Sequence, residues 1–334
     1  MAAARLSWHR VAGGNAVADL RSRITTGRAF VLAAVLVAEI ILWTLLSAID
    51  WSTGTVHWPY FLTWDNAIDI GGSCAINLIL GVGMTFAIIG GGIDLSVGRL
   101  IALTHVVLVV VANATGSFVV GLAACLGCGL AAGLANGAVS VRFRIPSFIV
   151  TLGMMMVARG LAMVAAGGKS IGSDFSPPLA VQRFLPIGVS LVVMIVGHVV
   201  LTGTVFGRHV FAVGGSAETA RLCGIRVGLI RIVTFLISGL AAGLAGLVYW
   251  SRNSLGDPLA GDGLELYAIA AVIVGGTSLS GGRGSVIGTF LGALIMGVLQ
   301  YGLHFMLVPT HWQWVIIGSV VIATVLVDRL KRPQ

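Results

Sequence analysis

Few residues in this chain have the types and spacing that catalytic chemistry needs. Gly168-Lys169-Ser170 matches the last three residues of a phosphate-binding P-loop. The first glycine of that loop would fall at position 163, which is Met163. The seven histidines contain no HExxH pair. Cys125 and Cys128 form a lone CxxC inside an apolar stretch, where small residues packed in a helix are preferred to a redox or metal site. The four cysteines imply no disulfide framework. The sequence therefore offers no catalytic residue, no metal ligands and no cofactor, and no ATP hydrolysis of its own is expected.

Two glycine-rich segments stand out instead. Gly90–Gly98 reads GGGIDLSVG and Gly275–Gly284 reads GGTSLSGGRG. Glycine breaks between apolar runs expose backbone groups that hydrocarbon leaves unsatisfied, so they must be buried in protein or line a wet cavity. Both segments are candidates for a solute pathway or its inner gate. Asp94 is expected to cap the helix that follows it. Residues 91–99 laid on 275–283 agree at six of nine positions, either as an internal repeat or as a chance likeness of two turns.

The elements that must hold these segments are membrane spans. Of 334 residues, 57% are hydrophobic and 10% charged, and the mean hydropathy is +1.02. Soluble proteins carry about 25% charged residues. The sequence predicts an all-α, polytopic transmembrane bundle of about ten spans near 29–49, 74–93, 97–113, 117–140, 146–166, 187–203, 229–250, 266–280, 286–307 and 313–328. The transmembrane body is 29–328, between an N-terminal segment 1–28 and a tail 329–334. Residues 50–73, with three Trp, three Asp and no Lys or Arg, read as an outer loop. Glu39 lies within the first span and must face other helices or water. Gly129, Gly133 and Gly137, then Gly284, Gly288 and Gly292, and the pair Gly239 and Gly243, are spaced for close helix packing.

Charge orients this bundle. With both termini in the cytoplasm, 16 of the 20 Lys and Arg, Arg99 among them, fall on the inner side. Lys169, Arg183 and Arg252 fall outside, and Arg159 within a span. The net charge of +8 is thus a topology signal and gives no reason to invoke nucleic acid as a partner.

The longest polar inner connection is 204–228, TVFGRHVFAVGGSAETARLCGIRVG. A short helix is expected over 217–223, with Ser216 as N-cap and Gly224 as its stop. This stretch resembles the coupling loop of ABC importer permeases. With GGGIDLSVG at 90–98, RIPSFIVTLGMMMVARGLAMV at 144–164, ISGLAAGLAGLV at 237–248 and the glycine-rich run 270–298, the chain is similar to the ribose-type sugar permeases over about 61–328. Gly90, Arg99 and Ser216 depart from the usual pattern.

The resemblance implies a bacterial inner-membrane subunit that imports a sugar-like solute. Its implied partners are a separate ABC ATPase subunit, a periplasmic substrate-binding protein and a second permease subunit, within membrane lipid. It places ATPase contacts at Ala217, Glu218, Ala220, Arg221, Gly224 and Ile225. It places the pathway or gate at Gly91, Gly92, Asp94, Ser96 and Gly98; Asn136, a polar residue within a span, either joins them on the path or hydrogen-bonds between helices. Asn77 and Gln300 either face the path or join helices by hydrogen bonds. The competing class is an ion- or proton-coupled secondary transporter, which needs mid-membrane ionisable groups. Few are available beyond Glu39 and Arg159. A membrane enzyme finds no catalytic constellation. The solute itself is left open among pentoses, hexoses, sugar alcohols and furanose signalling compounds.

Overall fold

A computed structural model describes residues 13–48, 61 and 63–330. Twelve helices follow in chain order: α1 (Gly13–Ser47), α2 (Trp64–Ile89), α3 (Val97–Thr115), α4 (Phe118–Phe143), α5 (Ser147–Ala165), α6 (Leu179–Gly203), α7 (Val205–Gly215), α8 (Ala217–Leu222), α9 (Val227–Asn253), α10 (Leu264–Val274), α11 (Val286–Phe305) and α12 (Thr310–Leu330). The two-residue strands β1 (Ile171–Gly172) and β2 (Leu255–Gly256) pair antiparallel. Eight helices are long and apolar enough to cross a membrane, and α10 and part of α12 are shorter apolar helices. These ten segments correspond to the ten expected spans.

Three boundaries differ from expectation. The helix expected at 74 begins at Trp64, within the supposed outer loop. Thr63 caps it, accepting from the Asn66 N–H at 3.4 Å. Asp65 then complements the positive end of the helix and pairs with Arg183 of α6 at 2.8 Å. Most of the rest of that loop lies outside the described residues. At the N-terminus, α1 continues from Gly13 through the span without a break, so 13–28 is helical as well. Residues 1–12 and 331–334 lie outside the described residues.

The third difference is α10, which has only 11 residues. At ~1.5 Å per residue it covers about 16 Å, half of the ~30 Å hydrocarbon core. The chain before it supplies the rest of the crossing. From β2 it runs inward along α3, with Gly256 against Val106 and Val109. The Asp257 N–H donates to His105 Nε2 at 2.7 Å, and Gly261 lies beside Ile101 and Gly98.

The core centres on α2, which packs against α9, α11, α6 and α10, while α3 packs against α4, α9 and α5. Glycine makes the closest contact. On α4, Gly129 and Gly133 meet Gly239 of α9, and a Cβ on Gly137 would sit 2.8 Å from the Ile232 Cα. On α11, Gly288 and Gly292 meet Gly275 and Ala271, whereas Gly284 precedes the helix and packs on Thr277. Outward-facing Phe148, Met156, Leu161, Val192 and Val196 are exposed apolar side chains, as lipid requires.

Both glycine-rich breaks lie at one end of the bundle. The Gly282 N–H donates to Ile89 O at 2.9 Å, and Gly214 of α7 is wedged between the same two backbones. The two breaks share a helix-ending turn. The N–H groups of Gly91 and Gly92 bond back to Ile88 O and Ala87 O; those of Gly276 and Thr277 bond back to Ile273 O and Val272 O. Gly91 and Gly276 take matching left-handed φ values of 82° and 88°. The backbone thus pairs Gly91 with Gly276, one residue off the register read from sequence. Beyond that turn the second break is longer, running to Ser285 before α11, so the likeness is confined to the cap.

Candidate functional site

After its cap at Gly91 the first break turns back into the bundle. The Ile93 N–H donates to Ser147 Oγ at the start of α5, and the Leu95 N–H donates to Thr151 Oγ1 one turn further in, both at 3.1 Å. Asp94 and Ser96 then meet Asn136 of α4. Asn136 Nδ2 donates to Ser96 Oγ at 2.9 Å, and Ser96 Oγ donates to Asp94 Oδ1 at 2.6 Å. Asn136 stands seven residues inside the end of α4 at Phe143, about 10 Å along the helix. The break is therefore re-entrant, and α3 starts inside the bundle.

This arrangement corrects the expected role of Asp94. Its Oδ1 accepts the N–H of Ser96, the N-cap residue itself, rather than N–H groups of the first turn of α3. Its job is to tie the break to α4. Asp94, Ser96 and Asn136 are fully buried, so they form a sealed polar joint rather than an open lining. The buried Ser238 hydroxyl of α9 stands beside the same carboxylate. Gly98 lies elsewhere, against Gly261 and the Glu265 carboxylate.

Arg99 is the clearest correction to the charge count. It pairs with Asp262 and donates to Leu259 O at 3.4 Å, contacts with the segment that descends from the opposite end of the bundle. It therefore does not belong with the inner group in which the charge count placed it.

At the end with the breaks, 204–228 folds into two helices where one was expected. Thr204 caps α7, and Ser216 caps α8, accepting from the Thr219 N–H at 3.2 Å. Gly224, at φ 80°, stops α8 as anticipated. Three of the six docking candidates turn inward: Ala220 is buried, and Ala217 and Ile225 pack on the same apolar cluster. Glu218, Arg221 and Gly224 are exposed. Beside them stands Leu222, 84% exposed, a residue not singled out by the sequence. An apolar side chain on a polar six-residue helix was the available signal. A cavity of about 670 Å³ opens next to α8, lined by Gly91, Gly92, Arg144, Arg221, Arg226 and Arg231 among others. Those arginines form no ion pair among the described residues.

The remaining polar candidates are joints. Asn77 Nδ2 donates to Gln300 Oε1 at 3.4 Å, linking α2 to α11. Glu39 is half-buried one turn from Trp43, whose ring rests on Gly302 of α11. The Cys125 thiol donates to Gly243 O at 3.3 Å, a packing contact. Gly168-Lys169-Ser170-Ile171-Gly172 fits G-x-S-x-G spacing, which corrects the expectation that the sequence lacks that motif. A nucleophile elbow needs a strand-to-helix turn. Ser170 instead lies between α5 and β1, at the end opposite α8, and its side chain bonds to Asp257 alone among the described residues.

Comparison with known proteins decides between the transporter classes. Residues 66–325 match the family described as branched-chain amino acid transport system / permease component. The chain belongs to this family. It is 39% identical to the ribose import permease protein of Escherichia coli K12, over 82% of this chain and 88% of that one. It is 41% identical to the L-arabinose ABC transporter permease protein of Azospirillum brasilense, over 83% of each. It is 36% identical to the D-allose transport system permease protein of Escherichia coli K12, over 83% and 87%. No solved structure matches the chain. It is a multi-pass permease component of a transport system.

Proposed function

We propose that this chain is the membrane-spanning subunit of a bacterial ABC importer, carrying a sugar or sugar-like solute across the inner membrane. The observation that carries this reading is the similarity of more than four-fifths of the chain to permeases named for ribose, arabinose and allose. The family description names amino acid transport, but the named relatives divide only among sugars. Energy comes from a separate ATPase subunit, solute from a periplasmic binding protein, and the path from pairing with a second permease subunit.

Charge supports the orientation. Arg142, Arg144, Arg208, Arg221, Arg226, Arg231 and Arg283 gather at the end that carries α7, α8 and both breaks. That end is assigned to the cytoplasm, and both termini with it. There α8 presents Glu218, Arg221 and Leu222 to the ATPase, while its inward residues grip the body of the bundle. ATP-driven movement of the partner pulls on α7 and α8. Gly214 transmits it to Ile89 and Gly282, where the two breaks meet. Helix-end turns held by a few hydrogen bonds are the places where such a shift is absorbed.

Exchanging charges with Glu218→Arg and Arg221→Glu tests the docking assignment. The double variant is expected to keep its thermal unfolding profile and to lose co-purification of the ATPase. Normal co-purification would refute it.

A further inference from the structure

We propose that Asp262, backed by the buried Arg99 and by Glu265, lines the solute path inside the membrane, where its carboxyl group exchanges hydrogen bonds with the hydroxyl groups of a passing sugar. The proposal rests on the permease reading above and adds the place of contact to it.

Three observations carry it. First, the approach to α10 is a run of non-helical turns deep in the bundle, with Gly261 and Gly263 in left-handed backbone. Gly261 lies beside Ile101 of α3, fourteen residues from the outer end of that helix at Thr115. That is about 21 Å along α3, well into a hydrocarbon layer of ~30 Å. Non-helical backbone is tolerated at such depth only where protein covers it or water reaches it.

Second, the two members of the ion pair differ in exposure. The Arg99 side chain is 7% exposed and that of Asp262 is 69% exposed. The buried arginine also donates to Leu259 O, so it is anchored in the protein. The aspartate is the partner that opens outward. An exposed carboxyl group at this depth faces a water-filled passage, because lipid gives its oxygens nothing to bond.

Third, Glu265, in the first turn of α10, brings a second carboxylate to the same spot. Its Oε2 is buried against Gly98, where a Cβ would occupy its place, and has no hydrogen-bond partner among the described residues, so it stands as an unused acceptor behind Asp262. Two acceptor carboxylates beside a guanidinium donor match a polyhydroxy solute, each of whose hydroxyls both donates and accepts. No ionic solute is needed to explain the set, since its charges of opposite sign lie side by side.

The experiment uses the complete transporter, with ATPase and binding protein, in sealed vesicles. Uptake of labelled ribose, arabinose and allose is measured first with the unaltered chain. The Asp262→Cys variant is then exposed to a cationic, membrane-impermeant methanethiosulfonate, in a chain whose exposed Cys223 is replaced by Ser. A Met156→Cys variant, altered on the lipid-facing side of α5, serves as the unreactive control. The reagent is expected to modify the Asp262→Cys protein and to spare the Met156→Cys protein, and modification is expected to cut ATP-driven uptake about tenfold or more. Equal reactivity of the two variants, or modification without loss of uptake, would overturn the assignment. Should Asp262→Cys fail to assemble or keep too little uptake for a further loss to be read, Asp262→Asn is expected to cut uptake about tenfold while the complex still hydrolyses ATP, and unchanged uptake would overturn the proposal. Absence of ATP-driven uptake by the unaltered transporter would instead count against the permease reading, so the two failures are distinct.

Discussion

At the scale of single residues, polar groups in this chain act as joints. Asn136 secures the re-entrant break through Ser96, and Ser96 in turn holds Asp94. Asn136→Leu removes the amide donor and leaves a buried hydroxyl and carboxylate short of partners. Such losses cost about 1–3 kcal/mol each. The variant is expected to unfold at lower temperature in detergent, and unfolding at the unaltered temperature would contradict the joint. Asp94 was legible as a helix-capping residue in a glycine-rich break and Asn136 as a polar residue within a span, whereas Ser96 came only through the family resemblance. Their meeting was not legible, since it joins positions 40 and 42 apart through a fold that no local pattern encodes. Arg99 shows the opposite failure. The positive-inside rule sorts a charge by its flanking spans, whereas Arg99 is held by Asp262, far along the chain and from the other face.

At the scale of elements, glycine spacing was the most dependable guide. The α4 pattern at 129, 133 and 137 meets α9 at Gly239, with backbone against backbone. Gly239→Leu drives a side chain into the Gly129 carbonyl and the Gly133 Cα, and neither can retreat without separating the helices. Loss of folded protein is expected, read by size-exclusion chromatography in detergent. Gly153→Ala on α5, where a Cβ meets open space, is expected to be silent. A monodisperse, stable Gly239→Leu protein would refute the seam. Helix ends were less legible. Trp64, Asp65 and Asp69 look like loop residues by polarity, yet Thr63 and Asn66 start a helix there. For α8, cap, length and stop were all readable, because local side chains set them. The preceding α7 was missed for want of an apolar run long enough to distinguish it from a loop.

At the scale of the whole molecule, composition and charge were enough for a polytopic bundle with one strongly basic end. What they left out is that two segments cross by halves. The first break re-enters beside α5, and the approach to α10 descends beside α3 as a run of turns. Both put irregular backbone in the interior, where a solute path must be polar without being open to lipid. The same geometry links the coupling end to that interior, since Gly214, Ile89 and Gly282 share contacts. Import of a sugar powered by a separate ATPase is the claim that unites these features. Its most direct test is uptake of labelled ribose, arabinose and allose into vesicles holding the permease, its ATPase and the binding protein. Accumulation of a sugar that requires ATP, and that survives collapse of proton and sodium gradients, is the predicted result. Uptake that persists without ATP and without the ATPase subunit would contradict it.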